Sequence, residues 1–193
     1  MSKVTQSNYS IAGIDWVAGE AKSSGKPTVV SMSFGGDPSN SLDHTIRAVG
    51  ANSVVRDAGN TENTNASSCL QLYLAGVTVV AASGNDGTDA SNISPAHVKQ
   101  AITVAASTFQ DTMADFSNFG APIDIFAPGT DITSTWNNGK SYVMSGTSMA
   151  APHVSGYVAY LLSIDGSLSP ANVASIIDKG ALSGVLNQIR EFP

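Results

Sequence analysis

The sequence predicts an α/β fold built on a parallel sheet, and three observations carry that prediction. The strongest apolar runs, 28–32 and 76–83, show no polar alternation, so both of their faces must be covered, as in a parallel sheet flanked by helices. These runs alternate with stretches whose apolar residues recur at helical spacing. Each run closes on Gly, Pro, Ser or Asn, the residues that end strands in turns. At 193 residues, 42% hydrophobic and 12% charged, the chain suits one domain with a substantial core.

Taken in order, residues 11–23 place Ile11, Ile14, Val17, Ala18 and Ala21 on one helical face. Gly25 to Pro27 break that helix, and 28–32 follow as a buried strand. Residues 34–36 are a turn, 37–40 are polar, and a short helical pattern passes through Leu42 and Ile46. The polar stretch 57–68 has neither helical nor strand period and is read as a flexible inserted loop. The strand 76–83 ends in the turn 84–87, and 101–105 and 123–126 read as two more strands. An extended run at 141–144 feeds a helix that carries Ser148 and continues to about Leu162. Ser169 as N-cap and Pro170 at the first helical position open a last helix. In parallel sheets ligands bind at the carboxyl ends of strands, where Asn85 and the segment Ser33 to Gly36 are placed.

Composition narrows the functional classes. A net charge of −6 without basic clusters argues against a nucleic-acid surface. No apolar run approaches the roughly 20 residues needed to cross a bilayer, so no membrane partner is expected. The first residues lack the apolar centre of a signal peptide. Cys69 is the single cysteine and reads as a buried, inert thiol, and no ligand spacing suggests zinc. Asn8, Asn65 and Asn92 begin formal glycosylation triplets that matter only in a secreted protein.

The most informative segment is Gly146-Thr-Ser-Met-Ala-Ala-Pro-His-Val-Ser-Gly156. It sets Ser148 at the start of an apolar helix, where the dipole and free backbone N–H groups favour developing negative charge. Gly146, Ala150 and Ala151 keep bulk away from the hydroxyl. The segment resembles the nucleophile motif of subtilisin-like serine proteases, and further segments resemble the proteinase K-like branch of that family. The resemblance runs from about residue 9 to 185 and implies a subtilisin-like fold with its N-terminal part missing. It implies Ser148 as the nucleophile of a serine endopeptidase that acts on polypeptides through an acyl-enzyme.

By the same resemblance, Val79-Val-Ala-Ala-Ser-Gly-Asn85 ends in the asparagine that donates to the oxyanion. Ser31, Ser33, Phe34, Gly35 and Gly36 are similar to the strand and turn lining the pocket for the residue before the scissile bond. Ala82, Ser83 and Gly84 would form its opposite wall, and an apolar floor implies preference for hydrophobic or aromatic side chains. The segments 116–120 and 124–129 also resemble that branch, in which Asp124, with the carbonyls of Lys99 and Ala101, would hold a structural calcium ion. No cofactor is required. The family is typically secreted, which implies extracellular action.

Three departures qualify the resemblance. The family's order is Asp, His, Ser, yet neither its Asp-Thr/Ser-Gly nor its Gly-His-Gly-Thr-His segment occurs in these 193 residues. Residues 50–68 look like an insertion, and the stretch from Gly184 onward departs from the family's closing strand. The pattern fits a truncated or misassembled gene product, inactive alone, with the missing N-terminal segment as a partner that would supply Asp and His. An alternative is a non-catalytic pseudoprotease that keeps a peptide groove. His44 and His97 read as surface histidines, His153 as a structural one on another face than Ser148, and Asp15 as a helical residue without the family's surroundings.

Overall fold

The computed structural model describes residues 3–40, 42–43 and 76–187, the first seven of them by backbone alone. The stretch 57–68, Cys69, His44, Ile46 and Asn65 lie outside the described residues. The elements are α1 (Lys3–Ser24), β1 (Thr28–Met32), β2 (Val77–Ala82), β3 (Ala101–Ser107), β4 (Ile125–Pro128), β5 (Ile132–Thr135), β6 (Ser141–Met144), α2 (Thr147–Ile164) and α3 (Pro170–Gly180).

Strands β1 to β4 form a parallel sheet in chain order. Its two central strands are buried along their whole length, as their unbroken apolar runs require. Alternation across the pleat then sorts side chains into two layers. Val77, Val79, Ala81 and Ala101 pack with Ile14, Ala18 and Ala21 of α1. Val80, Ala82, Ile102, Val104 and Ala106 pack with Ala150, Ala151, Val154, Val158 and Leu162 of α2, and with Val173 and Ile177 of α3. Alanines at the centre of the second layer bring α2 close to the strand ends, which is what sets Ser148 at the sheet's carboxyl edge. Burying valines such as Val80, Val104 and Val158 contributes about 1.5–3 kcal/mol each.

The predicted fold class and the strands near 28, 76 and 101 are present. Helix α1 begins well before residue 11, and β4 starts at Ile125 rather than 123. The later start has a local cause: Asp124 is tied to Thr103 in both directions, Asp124 N–H donating to the Thr103 carbonyl and Thr103 N–H to the Asp124 carboxylate. The extended run at 141–144 exists, but pairs antiparallel with Ile132–Thr135, a partner the sequence pattern did not bring out. The turn between them uses Asn138 and Gly139 at positive φ, the Asn-Gly chemistry that favours tight hairpins. No helix among the described residues is long and apolar enough to cross a membrane.

Candidate active site

The site begins with the turn before α2. Gly146 N–H donates to the Gly129 carbonyl at 2.7 Å, which anchors the turn against the end of β4. Thr147 is fully buried. Its N–H and its hydroxyl both donate to Asn85 Oδ1, at 2.8 and 2.9 Å, and its Oγ1 accepts the Gly84 N–H at 3.2 Å. A backbone N–H can only donate, so this contact fixes which end of the Asn85 amide is oxygen. The amino end is left facing the start of the helix. A Cβ placed on Gly146 would lie 3.6 Å from Asn85 Nδ2 and 3.7 Å from Ser148 N. The Asn85 amino group, the Ser148 N–H and the Met149 sulfur thus border the same space beside Gly146. Such an arrangement can receive an oxyanion formed beside Ser148.

Ser148 is tied to the end of β1. Its hydroxyl donates to the Ser33 carbonyl at 3.1 Å, and the Ser33 hydroxyl donates to the Ser148 carbonyl at 3.0 Å. The reason lies one turn on. Pro152 stands inside α2 and has no N–H, so the Ser148 carbonyl lacks its helical donor. The Ser33 hydroxyl fills that vacancy, and both the hydroxyl and the carbonyl of Ser33 are engaged with Ser148.

The other expected groove residues are spread more widely. Ser31, Phe34, Gly35 and Gly36 lie exposed at the strand end. Gly36 exchanges both backbone hydrogen bonds with Ser94, and a Cβ on Gly35 would press on Ile93, so Gly35 permits close approach by the protein's own loop while the space beside Gly36 stays open. Ala82 and Ser83 are buried, which leaves the half-exposed Gly84 as the accessible member of the opposite wall.

No base reaches Ser148 among the described residues. His97 is partly buried; Nδ1 contacts the Ile93 carbonyl at 3.0 Å and Nε2 the buried Asp43 carboxylate at 3.0 Å. That corrects its reading as a surface histidine: the sequence gave no sign that Asp43 folds inward to meet it. His153 Nδ1 contacts the Met149 carbonyl one turn back at 2.9 Å. His153 and Ser148 nevertheless border the same cleft of about 310 Å³, with Ile132, Thr133, Ser134, Met149 and Pro152, so the expectation that they face apart holds for their bonds and not for their surroundings.

Lys99, Ala101 and Asp124, the implied calcium set, do border one cleft of about 510 Å³, together with Asp178. Asp124 is exposed at the cleft mouth, yet neighbouring atoms withdraw its carboxyl in part from water, and this desolvation is the largest influence and raises its pKa; the Thr103 N–H opposes that rise and the charge of Asp178 adds to it. Two carboxylates beside main-chain oxygens are the donor type calcium takes. Among the described residues no group of three or more His, Cys, Asp or Glu side chains could hold a metal, so a cation here would rely on carbonyls.

Sequence reasoning missed Thr147, Asn118 and Asp43. Thr147 sat within the recognised motif, and Asn118 within a segment noted only for its resemblance.

The geometry gains its context from comparison. The model of the subtilase family matches residues 2–190. The chain belongs to the subtilase family. This subtilase is 46% identical over 176 residues to subtilisin-like protease 2 of Pseudogymnoascus destructans, covering 90% of this chain and 38% of that protein. It is 40% identical to proteinase T of Parengyodontium album over 80% of this chain and 45% of that one. It is 38% identical to the cuticle-degrading protease of Metarhizium anisopliae, covering 93% and 41%. A cold-adapted subtilisin-like serine proteinase superposes with a TM-score of 0.77 at 34% identity, over 93% of this chain and 56% of that one. The subtilase chain therefore spans less than half the length of these curated relatives, matching their C-terminal part, and about half of the solved structure.

Proposed function

We propose that the chain is the nucleophile-bearing part of a serine endopeptidase, inactive by itself, which hydrolyses peptide bonds once another polypeptide segment supplies the acid and base residues. The observation that supports this reading is the Thr147 grip on Asn85 Oδ1, which leaves the Asn85 amino group and the Ser148 N–H near one another at the start of α2. In the assembled site the supplied base takes the Ser148 proton as Oγ attacks the substrate carbonyl carbon. Asn85 Nδ2 and the Ser148 N–H hold the resulting oxyanion, the base's proton passes to the leaving amine, and water then hydrolyses the acyl-enzyme. Ser33 gives up its carbonyl contact with Ser148 Oγ when the base takes its place.

Ser31 and Ser33 to Gly36 on one side, with Ala82, Ser83 and Gly84 on the other, form the substrate-binding walls in this reading, and the exposed Phe34 suits hydrophobic substrate side chains. Extracellular action follows from the resemblance. Asp124 with the Lys99 and Ala101 carbonyls holds calcium, which supplies stability rather than chemistry.

A second reading, a peptide-binding pseudoprotease, draws on one observation: the Ser148 hydroxyl is already occupied by Ser33. Incubating the chain with a polypeptide that carries the family's Asp-Thr/Ser-Gly and Gly-His-Gly-Thr-His segments separates the two. Cleavage of an aromatic-rich peptide by the mixture and not by its Ser148→Ala version supports the protease. Peptide binding without cleavage supports the pseudoprotease.

A further inference from the structure

The reading of Asn85 as an anion donor raises a question of its own: what aims its amide? Asn85 sits in the turn after β2 and is exposed. Thr147 holds the Asn85 Oδ1 at one end, but that grip works only if the turn brings the Asn85 backbone to the right place, against the entropy of an exposed loop. The answer stands on the other side of that turn. Asn118 is 0% exposed, and its side chain bonds to residues both before and after Asn85 while leaving Asn85 itself untouched. Its Nδ2 donates to the Ser83 carbonyl at 2.9 Å. Its Oδ1 accepts the N–H groups of Asp86 and Thr88 at 3.0 and 3.1 Å. Its own N–H donates to the Gly84 carbonyl at 3.0 Å.

The fit is close on every side. Gly84 has φ of 105°, and a Cβ there would collide with the Asn118 carboxamide, so the turn has closed around that side chain as far as glycine permits. The two backbone N–H donors on Oδ1 fix the orientation of the amide, and every hydrogen-bonding group it buries is used.

We propose that Asn118 is a positioning residue for the oxyanion donor: it fixes both flanks of Asn85 so that the Asn85 carboxamide is delivered to Thr147 and the Ser148 cleft. It acts through Asn85 and touches neither substrate nor nucleophile. The proposal rests on the reading of Asn85 given above. Its structural content, the link from Asn118 to Thr147, can be measured without any reaction at Ser148.

The test is amide hydrogen exchange by NMR on the full chain and on Asn118→Ala. Asp86 and Thr88 must exchange faster in the variant whatever the role, because their acceptor is gone. The discriminating probe is the Thr147 N–H, whose acceptor is Asn85 Oδ1. Its exchange is expected to rise about fivefold, the worth of one hydrogen bond, with a shift in the Asn85 side-chain amide resonances. An unchanged Thr147 N–H and unchanged Asn85 resonances beside a loosened Asp86 and Thr88 would overturn the proposal, leaving Asn118 as a loop support only.

Should Asn118→Ala not fold, Asn118→Asp keeps the acceptor for Asp86 and Thr88 and loses the donor to Ser83. Thr147 exchange must then rise by a smaller factor, and no change again overturns it. In the complemented assembly, Asn118→Ala should slow phosphonylation of Ser148 in the native background and not in Asn85→Ala. Equal slowing in both contradicts action through Asn85. Failure of Ser148 to react at all bears on the protease reading, not on the exchange result.

Discussion

Ser33 and Ser148 exchange hydrogen bonds, each hydroxyl donating to the other residue's carbonyl. The pair joins the end of β1 to the start of α2 across 115 residues of sequence. It exists because Pro152 withholds the N–H that an ordinary helix would give to the Ser148 carbonyl. A proline inside the helix thus recruits a strand end to the nucleophile.

This predicts coupling between Ser33 and Pro152. Ser33→Ala should destabilise the chain by about 1 kcal/mol, the net value of an ordinary hydrogen bond. Pro152→Ala restores a helical donor to the Ser148 carbonyl, so Ser33→Ala should cost distinctly less in that background. A double-mutant cycle by urea denaturation measures the difference. Strict additivity would contradict the account.

The oxyanion pair predicts a rate effect without a stability effect of the same size. In the complemented assembly, Asn85→Ala should lower kcat by about 10²–10³ with KM little changed, a magnitude that itself comes from subtilisin. Thr147→Val, which removes the hydroxyl bonded to Asn85 Oδ1, should fall in the same direction by less, because the Thr147 N–H still holds that oxygen. Steady-state kinetics on a peptide substrate checks both.

Asp124 gives a pH prediction whose sign follows from its raised pKa. A carboxyl that binds its proton more tightly when folded favours the folded state in acid, and loses that contribution as pH rises through the folded pKa. At neutral pH without calcium, Asp124→Asn should therefore be at least as stable as the parent. In acid, below the ordinary carboxylate range, the parent should gain relative to the variant. Added calcium should raise the parent's Tm at neutral pH and leave Asp124→Asn unmoved. Thermal melts at several pH values, with calcium and with chelator, decide it.

The sheet, the α2 motif and the strand-end location of Ser33 and Asn85 were legible in the sequence, because each rests on local pattern. Unbroken apolar runs such as 76–83 leave a strand little choice but burial. Two of the missed features depend on contacts between distant residues. Nothing near Asp43 announces that it turns inward to His97, and nothing near Asn118 announces that its side chain will fill the turn around Asn85. The hairpin of β5 and β6 was missed because its strands are short and exposed, with no buried face to print a period. The bridge from Gly36 to Ser94 and the closeness of Ile93 to Gly35 were likewise not legible, because that loop lies far along the sequence.

α2 carries exposed apolar residues outward from the site: Tyr157, Tyr160 and Ile164 are 46%, 60% and 67% exposed. α2 carries no Asp, Glu, Lys or Arg, so its exposed face suits cover by a partner better than open water. Tyr160→Glu should thus leave folding of the chain unchanged while weakening its complementation by the supplied segment. Titration of that segment, followed by peptide cleavage, reads the loss.

In the reading proposed above, Ser148 is a nucleophile that needs the family's Asp and His segments for its base. Labelling by a serine-directed fluorophosphonate, located by mass spectrometry, tests it most directly. The chain alone should label no faster than its Ser148→Ala variant. With the polypeptide carrying the family's Asp and His segments, label should appear on Ser148 and fall with Asn85→Ala. Rapid Ser148 labelling of the chain alone, or no labelling once that polypeptide is bound, would contradict the account.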